Sequence, residues 1–152
     1  MDKKNSKIGK TIICLYAPAN CGKTESIRSL FLKLGGDKKV INETHDFVAI
    51  VLWGNKKIGF ASQGDPGTPQ EENLEKLVQS GCDIIVTASR TKGNTVYSVC
   101  DIANMHGYSV VWISPFYYND VNNATDETEE LYRNSAERNS DNIAKLIMNI
   151  SN

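Results

Sequence analysis

The chain has 152 residues, a formal charge of -1 and 40% hydrophobic against 23% charged residues. That length suits one domain able to bury its own core, the charge gives no global pull toward nucleic acid, and no apolar run approaches the roughly 18 residues that would span a bilayer. The expectation is a single domain over 1–152, cytoplasmic and without membrane attachment, in which residues 1–10 form a solvated basic arm carrying Lys3, Lys4, Lys7 and Lys10.

Ile12, Ile13, Leu15 and Tyr16 form a short, nearly continuous apolar run, the pattern of a strand buried on both faces of a parallel sheet. Beyond the loop that follows, Ile27, Leu30, Phe31 and Leu34 recur at helical spacing, so a helix opens at Gly22 to Lys23 and stops at Gly35-Gly36. Asp46 to Trp53 and Lys57 to Ser62 read as strands joined by Gly54-Asn55-Lys56, a link short enough to require an antiparallel hairpin. Thr68-Pro69-Gln70-Glu71 has the form of a capping box with Thr68 at N-cap, starting a helix that Gly81 ends.

Asp83 to Ala88 reads as another buried strand, Val96, Val99, Cys100 and Ala103 mark a helix stopping at Gly107, and Ser109 to Ile113 makes a fifth strand. Ile143, Leu146, Ile147 and Ile150 stripe a long last helix whose acidic first turn is Asp126 to Glu130. The alternation predicts an α/β fold of three layers: a five-stranded, mostly parallel sheet with one antiparallel hairpin strand and helices on both faces. Cys14, Cys21, Cys82 and Cys100 include no C-x-x-C pair and no neighbouring histidine, so reduced thiols are expected rather than zinc ligands or a disulfide frame.

The chemistry concentrates in APANCGKT, Ala17 to Thr24, between the first strand and the first helix. A helix N-terminus leaves backbone N–H groups unpaired and carries positive partial charge, so a tight loop feeding into one wraps a phosphate. This stretch resembles the phosphate loop of the P-loop NTPase superfamily, G-x-x-x-x-G-K-[ST], whose first residue is glycine or alanine. The resemblance implies that the amides of Ala19, Asn20, Cys21, Gly22, Lys23 and Thr24 cradle a phosphate chain, that Lys23 reaches the β- and γ-phosphates, and that Thr24 ligates Mg²⁺.

The superfamily takes a metal-side carboxylate from the end of a second strand, and Asp65 in SQGDPGT is the candidate. The hairpin before it is similar to the layout of Ras-like GTPases, but Thr68 stands where their D-x-x-G turn has glycine, and the guanine-reading N-K-x-D motif is absent. ATP is therefore the expected nucleotide on superfamily resemblance. An order 2-3-1-4-5, with the strand before Asp65 directly beside the first strand, would carry Ser89, Arg90 and Lys92 toward the phosphates, where Arg90 could stabilise a transferring phosphoryl group.

Gln63 is a candidate to orient water, Thr44 lies where Ras-like proteins keep a nucleotide-sensing threonine, and Pro115-Phe116-Tyr117-Tyr118 is a candidate pocket wall. His45 and His106 show no partner pattern, and His106 reads as a helix-dipole contact. The expected activity is Mg²⁺-dependent binding of a nucleoside triphosphate and hydrolysis of its γ-phosphate. The alternatives are a small-molecule kinase and a nucleotide-responsive regulatory or assembly protein with little turnover; the sequence names no protein partner.

Overall fold

Thr11–Tyr16 form β1, a strand whose first five side chains are buried and alternate between two cores, Ile13 and Leu15 facing one, Ile12 and Cys14 the other. The computed structural model describes residues 9–18, 21–41, 46–116 and 126–151, with the side chains of 126–129 and 132 excepted. After β1 come α1 (Lys23–Lys33), a 3-10 turn (Lys38–Val40), β2 (Val48–Trp53) and β3 (Lys56–Ala61). The chain continues with α2 (Gln70–Gln79), β4 (Ile84–Ser89), α3 (Asn94–His106), β5 (Ser109–Ile113) and α4 (Asp126–Ser151).

The strands form one mixed sheet in the order β2-β3-β4-β1-β5, parallel except for the antiparallel β2–β3 hairpin. This corrects the expected 2-3-1-4-5 order: β4 lies between β3 and β1, and β1 is flanked by β4 and β5. The reason lies in burial and connection. All six residues of β4 are buried, which suits a central position, and α2 links β3 to β4 as adjacent parallel strands, the simplest crossover. Gly59 on β3 allows that helix to pack closely, since a Cβ there would lie 2.8 Å from Cys82 Sγ and 2.9 Å from Leu77 Cδ2.

Helices cover both faces. Ile27, Leu30 and Phe31 of α1 pack with Ile143, Ile147 and Ile150 of α4 on one side, and Leu74 and Leu77 of α2 pack with Val99, Ile102 and Ala103 of α3 on the other. Phe31 anchors the first core, with its ring centroid 5.3 Å from both Phe47 and Phe60. β2 is less buried than its apolar run implies, because it is an edge strand: Leu52 is 74% exposed, and Val48 and Ile50 on the same face are exposed too.

The expected capping box at Thr68 is also corrected. Its hydroxyl donates to Asp65 O at 2.7 Å, and α2 starts after Pro69 with no side-chain cap. Thr68 closes the Asp65-Pro66-Gly67 turn, where Gly67 takes a left-handed φ of 81°, and its hydroxyl is spent there. Residues 1–8 of the expected basic arm lie outside the described residues. No helix among the described residues is long and apolar enough to cross a membrane.

Candidate functional site

The loop after β1 is set by three features. Ala17 is buried and its N–H donates to Ser89 O at 3.1 Å, tying the loop entrance to the end of β4. Gly22 adopts a left-handed φ of 76°, a conformation that glycine reaches without Cβ strain, and turns the chain into α1. The helix then opens at Lys23 without a side-chain cap, so its first-turn amides take no side-chain partner at the N-cap. Ala19 and Asn20, expected to line the cradle, lie outside the described residues; Cys21 is buried beside Gly22.

Lys23 is only 7% exposed, and its amine donates to Ala17 O at 2.6 Å and Ser89 O at 3.1 Å. Desolvation lowers its pKa from the ordinary lysine value, while the carboxylate of Asp65 works against that shift. The ammonium is thus held by two carbonyl groups at the mouth of a cleft of about 180 Å³ that also takes in Thr24, Asp46, Ser62 and Asp65.

One flank of the cleft is charged. Arg90 Nε donates to Asp65 Oδ1 at 2.8 Å, and the same oxygen lies 4.0 Å from Lys23 Nζ. The fold brings these three expected site residues together even though β4 separates β3 from β1. Gly64 makes this possible, because a Cβ there would lie 2.4 Å from the carbonyl carbon and oxygen of Ala88, and the bare backbone lets the Asp65 loop lie against β4. The loop after β4 is fixed in turn by Arg90 N donating to Thr95 Oγ1 at 3.0 Å, and buried Gln70 donates to Ala88 O at 2.7 Å beneath Gly64.

The other flank is built from hydroxyls. Thr24 Oγ1 donates to Asp46 Oδ1 at 2.9 Å, and Ser62 Oγ lies 3.0 Å from the same carboxylate oxygen. Ser62 Oγ also accepts from Phe47 N at 2.8 Å, and Ser62 N donates to Phe47 O, so the hairpin pairing runs one step past the strands. Asp46 and Ser62 were not singled out from the sequence, where Asp46 reads simply as the first residue of a strand. The available signal was the hairpin itself: antiparallel pairing puts the start of β2 at the same sheet end as the finish of β3, beside the Asp65 loop.

The remaining candidates scatter. Ser89 contributes its carbonyl to Ala17 and Lys23, whereas Lys92 is exposed and makes no hydrogen bond or ion pair to the cluster among the described residues. Gln63 Oε1 accepts from Asn73 Nδ2 at 2.9 Å, which turns its oxygen toward α2. His106 pairs with Glu75 across α2 and α3, away from the cleft. Phe116 is 60% exposed and its backbone is clamped at both N–H and C=O by Asn139; Tyr117, Tyr118, Thr44 and His45 lie outside the described residues.

A larger groove of about 960 Å³ runs between α1 and α4 and shares Gly22 and Glu25 with the cleft. Among the described residues, no group of three or more His, Cys, Asp or Glu could hold a metal by itself. Comparison of the chain with protein-family models, with curated proteins and with solved structures returned no match.

Proposed function

We propose that the chain binds a nucleoside triphosphate, ATP in the first instance, together with Mg²⁺ on the Ala17–Thr24 loop and hydrolyses its γ-phosphate. The observation that carries this reading is Lys23: a desolvated ammonium hydrogen-bonded to two carbonyl groups, with the Asp65 carboxylate 4.0 Å away, at the N-terminus of a helix without a side-chain cap and on the rim of a cleft. A phosphate oxygen offers that ammonium a charge-assisted bond, stronger than the neutral carbonyls it now has, and the amides of α1 add the dipole field that favours an anion.

The donor set fits the metal. Thr24, Asp46 and Asp65 present hard oxygens of the kind Mg²⁺ prefers, while Glu25, which also lines the cleft, is paired with Arg28; these are too few to enclose the ion without phosphate and water oxygens, as is usual for nucleotide-bound Mg²⁺. When bound, the ion supplies charge neutralisation on the triphosphate. Lys23 would hold the phosphate chain at the loop, Thr24 would orient the metal side, and Arg90, released from Asp65, would face negative charge on the terminal phosphoryl group.

Isothermal titration with ATP and Mg²⁺ tests the binding half. Wild type should bind, and Lys23→Ala should lose roughly 10–100-fold or more in affinity, the scale of charge-assisted hydrogen bonds; equal affinities would overturn the assignment of the loop. Inorganic phosphate released from ATP, followed over hours, tests the hydrolytic half. A second reading, a small-molecule kinase, draws on the groove between α1 and α4, which offers an acceptor room next to the phosphate loop. Phosphate release that rises only when a hydroxyl-bearing acceptor consumes ATP would favour it.

A further inference from the structure

We infer that Asp46, rather than Asp65, is the carboxylate that serves the metal ion of the proposed triphosphate site. The assignment rests on the triphosphate reading and deepens it. Both carboxylates reach the same cleft, but one is held by cations and the other by neutral hydroxyls. Asp65 Oδ1 is bonded to Arg90 at 2.8 Å and lies 4.0 Å from the Lys23 ammonium. A divalent cation placed on Asp65 would meet two positive charges at short range, each repelling it by several times the thermal energy at the effective dielectric of a protein surface.

Asp46 is held without a charged partner among the described residues. Its Oδ1 accepts from the Thr24 and Ser62 hydroxyls, both neutral, and its Oδ2 makes no hydrogen bond among the described residues. The Thr24 bond also fixes direction: with its proton on Asp46, the threonine oxygen keeps its lone pairs for a cation. Ser62, itself locked to the Phe47 backbone, holds Asp46 in that position from the far side. Asp46 therefore orients the metal-side hydroxyl with one oxygen and offers the other to the ion or its water, while Asp65 bridges Lys23 and Arg90 until an anion takes its place.

The two carboxylates then respond oppositely to neutralisation. The test is titration of adenylyl imidodiphosphate, with and without Mg²⁺, into wild type, Asp46→Asn and Asp65→Asn. Asp46→Asn should lose roughly 10–100-fold of the gain in affinity that Mg²⁺ confers, the usual cost of removing a group that orients a metal ligand, and should keep its metal-free affinity. Asp65→Asn should keep the Mg²⁺ gain and bind the metal-free triphosphate more tightly, because two cations lose their competing anion. An Mg²⁺ gain that survives in Asp46→Asn and vanishes in Asp65→Asn would overturn the assignment and leave the triphosphate reading standing; no binding by wild type would overturn both. Asp46→Glu, which keeps the charge and the fold-side acceptor, guards against misfolding and should recover part of the Mg²⁺ gain; a recovery no greater than that of Asp46→Asn in a folded chain would also count against the assignment.

Discussion

The two flanks of the cleft are built on different principles. On the Asp65 flank, one carboxylate is shared by two cations, Arg90 and Lys23, so that a net positive charge remains. On the Asp46 flank, one carboxylate is held by two hydroxyls and a hairpin backbone. On the proposed function, the charged flank would release cations toward a phosphate when its carboxylate is displaced, whereas the hydroxyl flank would keep a negative oxygen open to a cation. A site for a metal-bound polyanion needs both properties.

The most severe way to break the contrast is Arg90→Ala. On the proposed function, phosphate release should fall roughly 100–1,000-fold, the scale for removing a donor aimed at developing charge, while the Mg²⁺-dependent gain in affinity stays, because Arg90 belongs to the other flank. Loss of that gain in Arg90→Ala would show that the flanks are not separable.

Gly64→Ala moves the charged flank instead of discharging it. The added Cβ would sit 2.4 Å from the Ala88 backbone, so the Asp65 loop must shift or β4 must give. The expected cost is about 1–3 kcal/mol in urea denaturation, the range for overpacking a tight site; an unchanged midpoint would mean that the loop is not seated against β4.

The smallest effect concerns Lys23 itself. Its folded pKa is lowered by desolvation, so the unfolded chain holds the proton more tightly and the charged lysine costs stability at neutral pH. As pH rises from the folded toward the unfolded pKa the folded lysine deprotonates first, and that cost fades. Wild type should therefore gain stability relative to Lys23→Met over this alkaline window, measured by denaturation at matched pH values. A difference independent of pH would indicate that the two carbonyl bonds fully compensate the buried charge.

Much of the local structure was legible because it is written in short-range patterns. The apolar run at Ile12 to Tyr16, the Gly22 turn, the helical stripe through Ile27, Leu30, Phe31 and Leu34, and the link at Gly54 each specify their element within a few residues. Strand order was not, since nothing within β1 states which neighbour it will have; that was decided by the double burial of β4 and the short α2 crossover. Edge exposure was hidden too: Val48, Ile50 and Leu52 look like core residues until the sheet ends beside them.

The candidate site divides in the same way. Lys23 and Thr24 are placed by the loop pattern, and Asp65 and Arg90 converge although the strand order differs from expectation, because both follow strands that end at the same edge of the sheet. Asp46 stayed hidden because its partner Thr24 lies 22 residues away on the first turn of α1, and its other partner, Ser62, is reached only through the β2–β3 hairpin pairing. Thr68 shows the converse case, a capping pattern whose hydroxyl is taken by a nearer carbonyl.

A crystal structure with adenylyl imidodiphosphate and Mg²⁺ should show phosphates over the amides at the start of α1 with the Lys23 amine turned from Ala17 and Ser89 onto them, Arg90 parted from Asp65, and the metal between Thr24 and Asp46. Triphosphate bound away from Lys23, or no triphosphate at saturating concentration, would rule out the proposed site.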